Sequence, residues 1–188
     1  MNRDFGTAFI TQCAPVMAGL KPANLFRWVE PDIRAMYRTI QEWRADLNPR
    51  GVRIDVLKAC SHTSAFLIYV YRENRLRELL ARPEIRAYLQ KAGYPEGNLR
   101  AQLDNLSSRL CTEADFPHEI GIFLGYPLED VEGFVQHKGK NYTCKGYWKA
   151  YGDPEAARAR FASFRKCTDV YLRCYRNGFS PVRLTVAV

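Results

Sequence analysis

Seven consecutive apolar residues, Ala65-Phe66-Leu67-Ile68-Tyr69-Val70-Tyr71, constrain this chain most. The run is far too short to span a membrane as a helix. Its unbroken β-branched and aromatic character predicts a strand covered on both faces, hence a central one. Just upstream, Val52, Ile54 and Val56 alternate with Arg53 and Asp55, the pattern of a half-buried strand. The short link Cys60-Ser61-His62-Thr63-Ser64 joins the two as a hairpin. Leu25-Phe26-Arg27-Trp28 and Glu119–Leu124 read as further short strands, and Val182–Val188 as a last one.

Helical spacing fills the intervals. A short helix over 4–13 is ended by Pro15. Ile33, Met36, Tyr37, Ile40, Trp43 and Leu47 give a second helix one buried face. Residues 73–91 read as helix with a break at Pro83, and Leu99, Leu103, Leu106 and Leu110 mark another. Leu128–Gln136 follows. Asp153-Pro154-Glu155 is a strong helix start: a cap, a first-turn proline, then an acid at the positive end of the dipole. That helix runs to about Asn177, with a core stripe of Ala157, Phe161, Phe164, Thr168, Tyr171 and Tyr175. Hairpins mixed with helical connections predict an α+β fold: one domain over 1–188, with a mixed sheet of about four to five strands and helices packed on it.

Charge is unevenly placed. The formal net charge is +8 over 188 residues. Residues 138–183 carry 11 Lys or Arg and 3 Asp or Glu, which accounts for the whole +8. The remaining 17 basic and 17 acidic residues cancel. A neutral body with a basic last third points to an anionic small molecule or an acidic protein as partner. No spanning segment or secretory leader is read, so the expected location is the cytoplasm. The six cysteines include no C-x-x-C pair, which speaks against a zinc ribbon, a thioredoxin motif or covalent c-type haem and for reduced thiols. Cys167 and Cys174 lie about 10 Å apart along one helix and cannot pair there.

Three segments stand out as motifs. The first is Gly19-Leu20-Lys21-Pro22-Ala23-Asn24-Leu25-Phe26. The second runs from Phe116-Pro117-His118-Glu119-Ile120-Gly121 through Gly125-Tyr126-Pro127 and Asp130 to Gly133-Phe134. The third is Gly139-Lys140-Asn141-Tyr142 followed by Gly146-Tyr147-Trp148-Lys149. Together they resemble the uncharacterised bacterial domain-of-unknown-function 3793 family over nearly the whole chain. The resemblance implies an intact domain, a cytosolic setting and a redox- or iron-linked context with an acidic, flavodoxin-like protein as a conceivable partner. It carries over no catalytic residues.

Chemistry-bearing residues are few. His118 beside Glu119 suits acid–base work, although neighbours on a strand face opposite ways, and the plain alternative is a structural loop histidine. Cys60 and His62 are two apart and with His118 or Cys144 could assemble a soft metal site, against a buried thiol and a solvated histidine. His62, His118, His137, Cys144 and the tyrosines are the available axial ligands for a haem. The lysine- and aromatic-rich stretch with Lys138, Lys140, Tyr142, Lys145, Tyr147, Trp148 and Lys149 suits a flat anion, its ammoniums meeting phosphate and its rings stacking. The alternative is a surface hairpin whose rings cover the core. Lys21 and Asn24 are loop residues that could line the same pocket. Arg158, Arg165, Arg173 and Arg176 share one side of the last long helix, with Asp169 among them.

No phosphate loop, Rossmann fingerprint or nucleophile elbow is present. Lacking RRM, KH and zinc-knuckle signatures, the chain ranks RNA binding below the other readings. The sequence therefore reads as a binding or accessory module for an anionic ligand or acidic partner. The alternative is a small enzyme or metal or haem protein built on His118.

Overall fold

The computed structural model describes residues 4–112 and 116–187. The apolar run forms β3 (Ala65–Arg72), and it is central, lying between β1 (Ala23–Val29) and β2 (Val52–Cys60). Both pairings are antiparallel, with Phe26 opposite Ile68 and Ile54 opposite Val70. The run is unbroken because both of its faces are covered. Phe66, Ile68 and Val70 pack with Phe9, Met17, Met36 and Ile40 of α1 (Phe5–Met17) and α2 (Ile33–Leu47). Tyr69 and Tyr71 point the other way, into Leu76 and Leu80 of α3 (Glu73–Leu80), Leu89 of α4 (Pro83–Lys91) and Leu103 and Leu106 of α5 (Leu99–Thr112).

The α+β class holds, with five strands among the described residues, but they do not share one mixed sheet. They form a three-stranded sheet and a separate hairpin of β4 (Cys144–Lys145) and β5 (Lys149–Ala150), all pairings antiparallel. Two expected strands are helical turns. Glu119–Leu124 contains α6 (Ile120–Phe123), entered by i→i+3 bonds from Ile120, Gly121 and Ile122 to Pro117, His118 and Glu119. All four side chains of α6 are buried, and a short run buried all round has no periodicity to separate helix from strand. One edge of the sheet, β2, is partly occupied by side chains. Arg44 Nε donates to Ile54 O at 2.7 Å and Ser107 Oγ to Leu57 O at 2.5 Å, capping β2. The segment expected as a last strand instead holds α9 (Pro181–Leu184), opened by Ser180 as cap and by a first-turn proline; Val188 lies outside the described residues. Helix α1 continues past Pro15, where Val16 and Met17 are fully buried, and core packing offsets the one backbone bond that proline removes.

The long helix α8 (Pro154–Arg176) starts where expected, Asp153 accepting from Glu155 N at 2.8 Å. Its first half buries Ala157, Phe161 and Phe164 against Trp148, and its second half lays Tyr171 and Tyr175 on the α1 side of the sheet. Tyr69 fastens the sheet to α6, its hydroxyl donating to Phe123 O at 2.6 Å in full burial. Tyr69→Phe should cost about 1–2 kcal/mol in urea unfolding, because the Phe123 carbonyl is left unpaired.

Candidate functional site

The three motif segments converge on one place. Gly125, at φ +78°, closes α6 and packs so tightly that a Cβ there would lie 2.3 Å from Pro22. That contact brings the first motif to the second. Tyr126 follows, and its ring stacks on Trp148 of the third motif at 4.7 Å and 23°. Helix α7 (Leu128–Gln136) then carries Asp130, 4% exposed. Asp130 accepts from Trp148 Nε1 at 2.6 Å, Tyr151 N at 2.6 Å and Gly152 N at 3.1 Å. One carboxylate thus clasps the β4–β5 hairpin to α7. Behind it, Trp148 meets Phe161 edge-on at 4.6 Å.

Between α6, α7 and this hairpin lies a cleft of about 370 Å³. Ile120, Gly121, Val131 and Trp148 supply its apolar lining. Phe116, His118, Phe134 and Tyr147 add rings, Lys145 and Lys149 add positive charge, and Asp130 adds a carboxylate already committed to its three donors. His118 lies 5.1 Å from the Phe134 ring. The structure therefore joins His118 to Lys145, Tyr147, Trp148 and Lys149, which the sequence left unconnected.

The remaining expected binding residues divide sharply. Lys149 lines the cleft, but its ammonium donates to Gly139 O at 2.7 Å and sits over Phe134 at 5.6 Å and Tyr142 at 5.3 Å. Its charge is spent on the wall. The carbonyl it meets belongs to a tight turn in which Lys138, Gly139 and Asn141 all have positive φ. Lys138 and Lys140 are exposed and Tyr142 is half-exposed; none lines the cleft. Trp148 is 8% exposed and serves chiefly as packing, while Tyr147 remains 42% exposed at the rim. Lys145 is exposed, and among the described residues it has no ion pair or side-chain hydrogen bond.

Lys21 and Asn24 do not line the cleft. They bond to each other, Nζ to Oδ1 at 2.6 Å, and Lys21 is 4% exposed behind the Tyr126 ring, 5.4 Å from its centroid. Burial lowers the Lys21 ammonium from its usual 10.5 to about 8, with the Cys13 thiol nearby opposing that shift. Between those values the unfolded chain holds a proton that the folded chain has released, so stability rises with pH. Relative to Lys21→Met, the wild type should gain about 1 kcal/mol per pH unit from pH 8 towards 10 in urea unfolding. Burial pushes the Cys13 thiol up, which acts in the opposite sense but is common to both proteins.

His118 and Glu119 do not share the cleft. The Glu119 carboxylate lies 3.5 Å from Arg109 and is absent from the lining. Cys60 and His62 sit at the tip of the β2–β3 hairpin, away from these residues, and His137 stacks on Tyr151 outside the cleft. Cys144 packs against the Trp148 cluster. Among the described residues no group of three His, Cys, Asp or Glu side chains is placed to hold a metal, and no helix is long and apolar enough to cross a membrane. All six thiols are free.

Asp130 was missed in sequence because a carboxylate in the first turn of a helix reads as a dipole partner. Its position before Val131, on the face that also carries Phe134, was the available signal. No curated protein and no solved structure matches this chain. The family model described as a protein of unknown function, DUF3793, matches residues 9–185, and the chain belongs to that family.

Proposed function

We propose that this DUF3793 protein is a binding module whose cleft takes a planar aromatic small molecule bearing one anionic group. The observation that carries this reading is the cleft's division of labour: several rings, an apolar lining and one uncommitted lysine, Lys145. Its volume lies within the usual range for small-molecule sites, and its mixture of apolar lining with few polar groups is that of such sites. Tyr147 and His118 offer faces for a flat ring, and Lys145 offers a point charge at the mouth.

The probes are planar monophosphates beside their dephosphorylated twins, FMN with riboflavin and AMP with adenosine. At least one monophosphate should raise the melting temperature and bind about tenfold more tightly than its twin, equivalent to one charge-assisted contact. Equal affinity within both pairs would remove the anionic half of the reading. No binding by any of the four would remove the reading itself.

A further inference from the structure

We infer that the solvent face of α8, continuous with the cleft rim through Tyr147, is a docking surface for an acidic protein. Elsewhere some exposed arginines are paired locally, although Arg27, Arg34, Arg75, Arg82 and Arg86 are exposed and, among the described residues, without an ion pair. Arg77 pairs with Glu73 at 2.7 Å, Arg100 with Asp104 at 2.8 Å and Arg38 with Asp32 at 3.8 Å. On α8 only Arg158 is so matched, by Glu155. Arg160, Arg165, Lys166, Arg173 and Arg176 are all exposed, and among the described residues none has an ion pair. Asp169 is placed four residues from both Arg165 and Arg173, yet no ion pair joins it to either among the described residues. A helix about 34 Å long therefore presents five cations that have no ion pair among the described residues, with one carboxylate, Asp169, among them.

The apolar side of α8 is turned inward, through Phe161 and Phe164 in its first half and Tyr171 and Tyr175 in its second. That leaves no apolar stripe for lying in a membrane surface. The outward side carries the small residues Ala159, Ala162 and Ser163 between its cations, with Val170 44% exposed. At one end Tyr147 rests on Phe161 and Phe164, 5.8 and 5.4 Å away, so an exposed tyrosine adjoins the arginines. Arginine and tyrosine are the residues enriched where proteins meet. Single-stranded nucleic acid needs a basic groove with successive aromatic platforms; α8 is a convex rod, with the exposed Tyr147 ring at one end and Trp148 buried. Helix α8 holds six basic and two acidic residues, half of the chain's net +8, and the lysines of the 138–149 stretch add four more positive charges, so together they set the long-range field that would steer an acidic partner.

The inference does not depend on the cleft reading. It is tested on the full chain with a fluorescein-labelled amphipathic Glu/Leu helix, oligo(U) RNA and phosphatidylglycerol vesicles, all at one ionic strength. The acidic helix should bind most tightly and weaken as salt is added. The triple variant R165Q/K166Q/R173Q should lose about tenfold in affinity for it. A control removing the same charge from the body, R27Q/R34Q/R86Q, should lose less than about twofold. Melting temperatures confirm that both variants are folded. Equal losses would mean net charge alone is read and would overturn the surface. Tighter binding of RNA or of vesicles would overturn the assignment to a protein partner.

Discussion

Replacing Arg72 with methionine should cost about 3–5 kcal/mol of folding stability. Arg72 is 2% exposed at the end of the central strand and has no ion pair among the described residues. Its guanidinium instead gathers carbonyls: Nε donates to Val16 O at 2.7 Å, and Nη2 to Met17 O and to Val186 O. Two of these close the C-terminal end of α1, where a cation also meets the negative end of the helix dipole. The third ties the segment after α9 to the sheet. Methionine fills comparable volume but removes the charged donor from all three carbonyls; Val16 O and Met17 O keep only their backbone donors, Gly19 N and Val186 N, and Val186 O loses the side-chain bond that holds it. Arg72→Lys keeps the charge and loses the planar fork, so about half of that loss is expected. Urea unfolding followed by circular dichroism measures both. Hydrogen exchange at Val186 N, bonded to Met17 O at 3.1 Å, should quicken in step.

The second large effect is at Asp130. Asp130→Ala removes the acceptor for three donors at once, two of them backbone groups leading out of the hairpin and one the Trp148 indole. About 3–5 kcal/mol should be lost. The functional loss should be greater than the stability loss implies. The hairpin carries Lys145 and Tyr147, so releasing it opens the cleft even at temperatures where the two sheet cores persist. Binding of a planar monophosphate should then disappear from protein that still shows its full helical signal. Asp130→Asn keeps one oxygen for Tyr151 N and Gly152 N but turns an amide donor towards the indole N–H, so it should fall between alanine and wild type.

The large sheet was legible because its signals are local. The apolar run at 65–71 and the alternation at 52–56 each state their own burial. What failed was the assignment of short apolar segments whose partners are distant. Ile120-Gly121-Ile122-Phe123 is buried on every side, so its pattern has no periodicity by which a helical turn differs from a strand. The candidate site was legible in pieces. Its lysines and rings stood out, yet composition does not reveal which charge is free. Lys149 is consumed by Gly139 O and two rings, Lys21 is sealed behind Tyr126, and Lys145 is open, although all three look alike in sequence. Asp130, which holds the cleft together, carries no local sign of its role, since a carboxylate in a first helical turn suits the dipole alone. The convergence of the three motif segments rests on long-range contacts such as Gly125 with Pro22, which no local pattern encodes.

Two lysines four residues apart therefore give the most direct test of the account. Isothermal titration of FMN into Lys145→Gln and Lys149→Gln, beside urea unfolding of each, separates their roles. Lys145→Gln should weaken binding about tenfold and leave stability within about 0.5 kcal/mol of wild type. Lys149→Gln should keep most of the affinity and lose about 1–2 kcal/mol of stability, since it breaks the bond to Gly139 O and both ring contacts. If Lys149→Gln abolishes binding while Lys145→Gln leaves it intact, the cleft does not read its ligand as described.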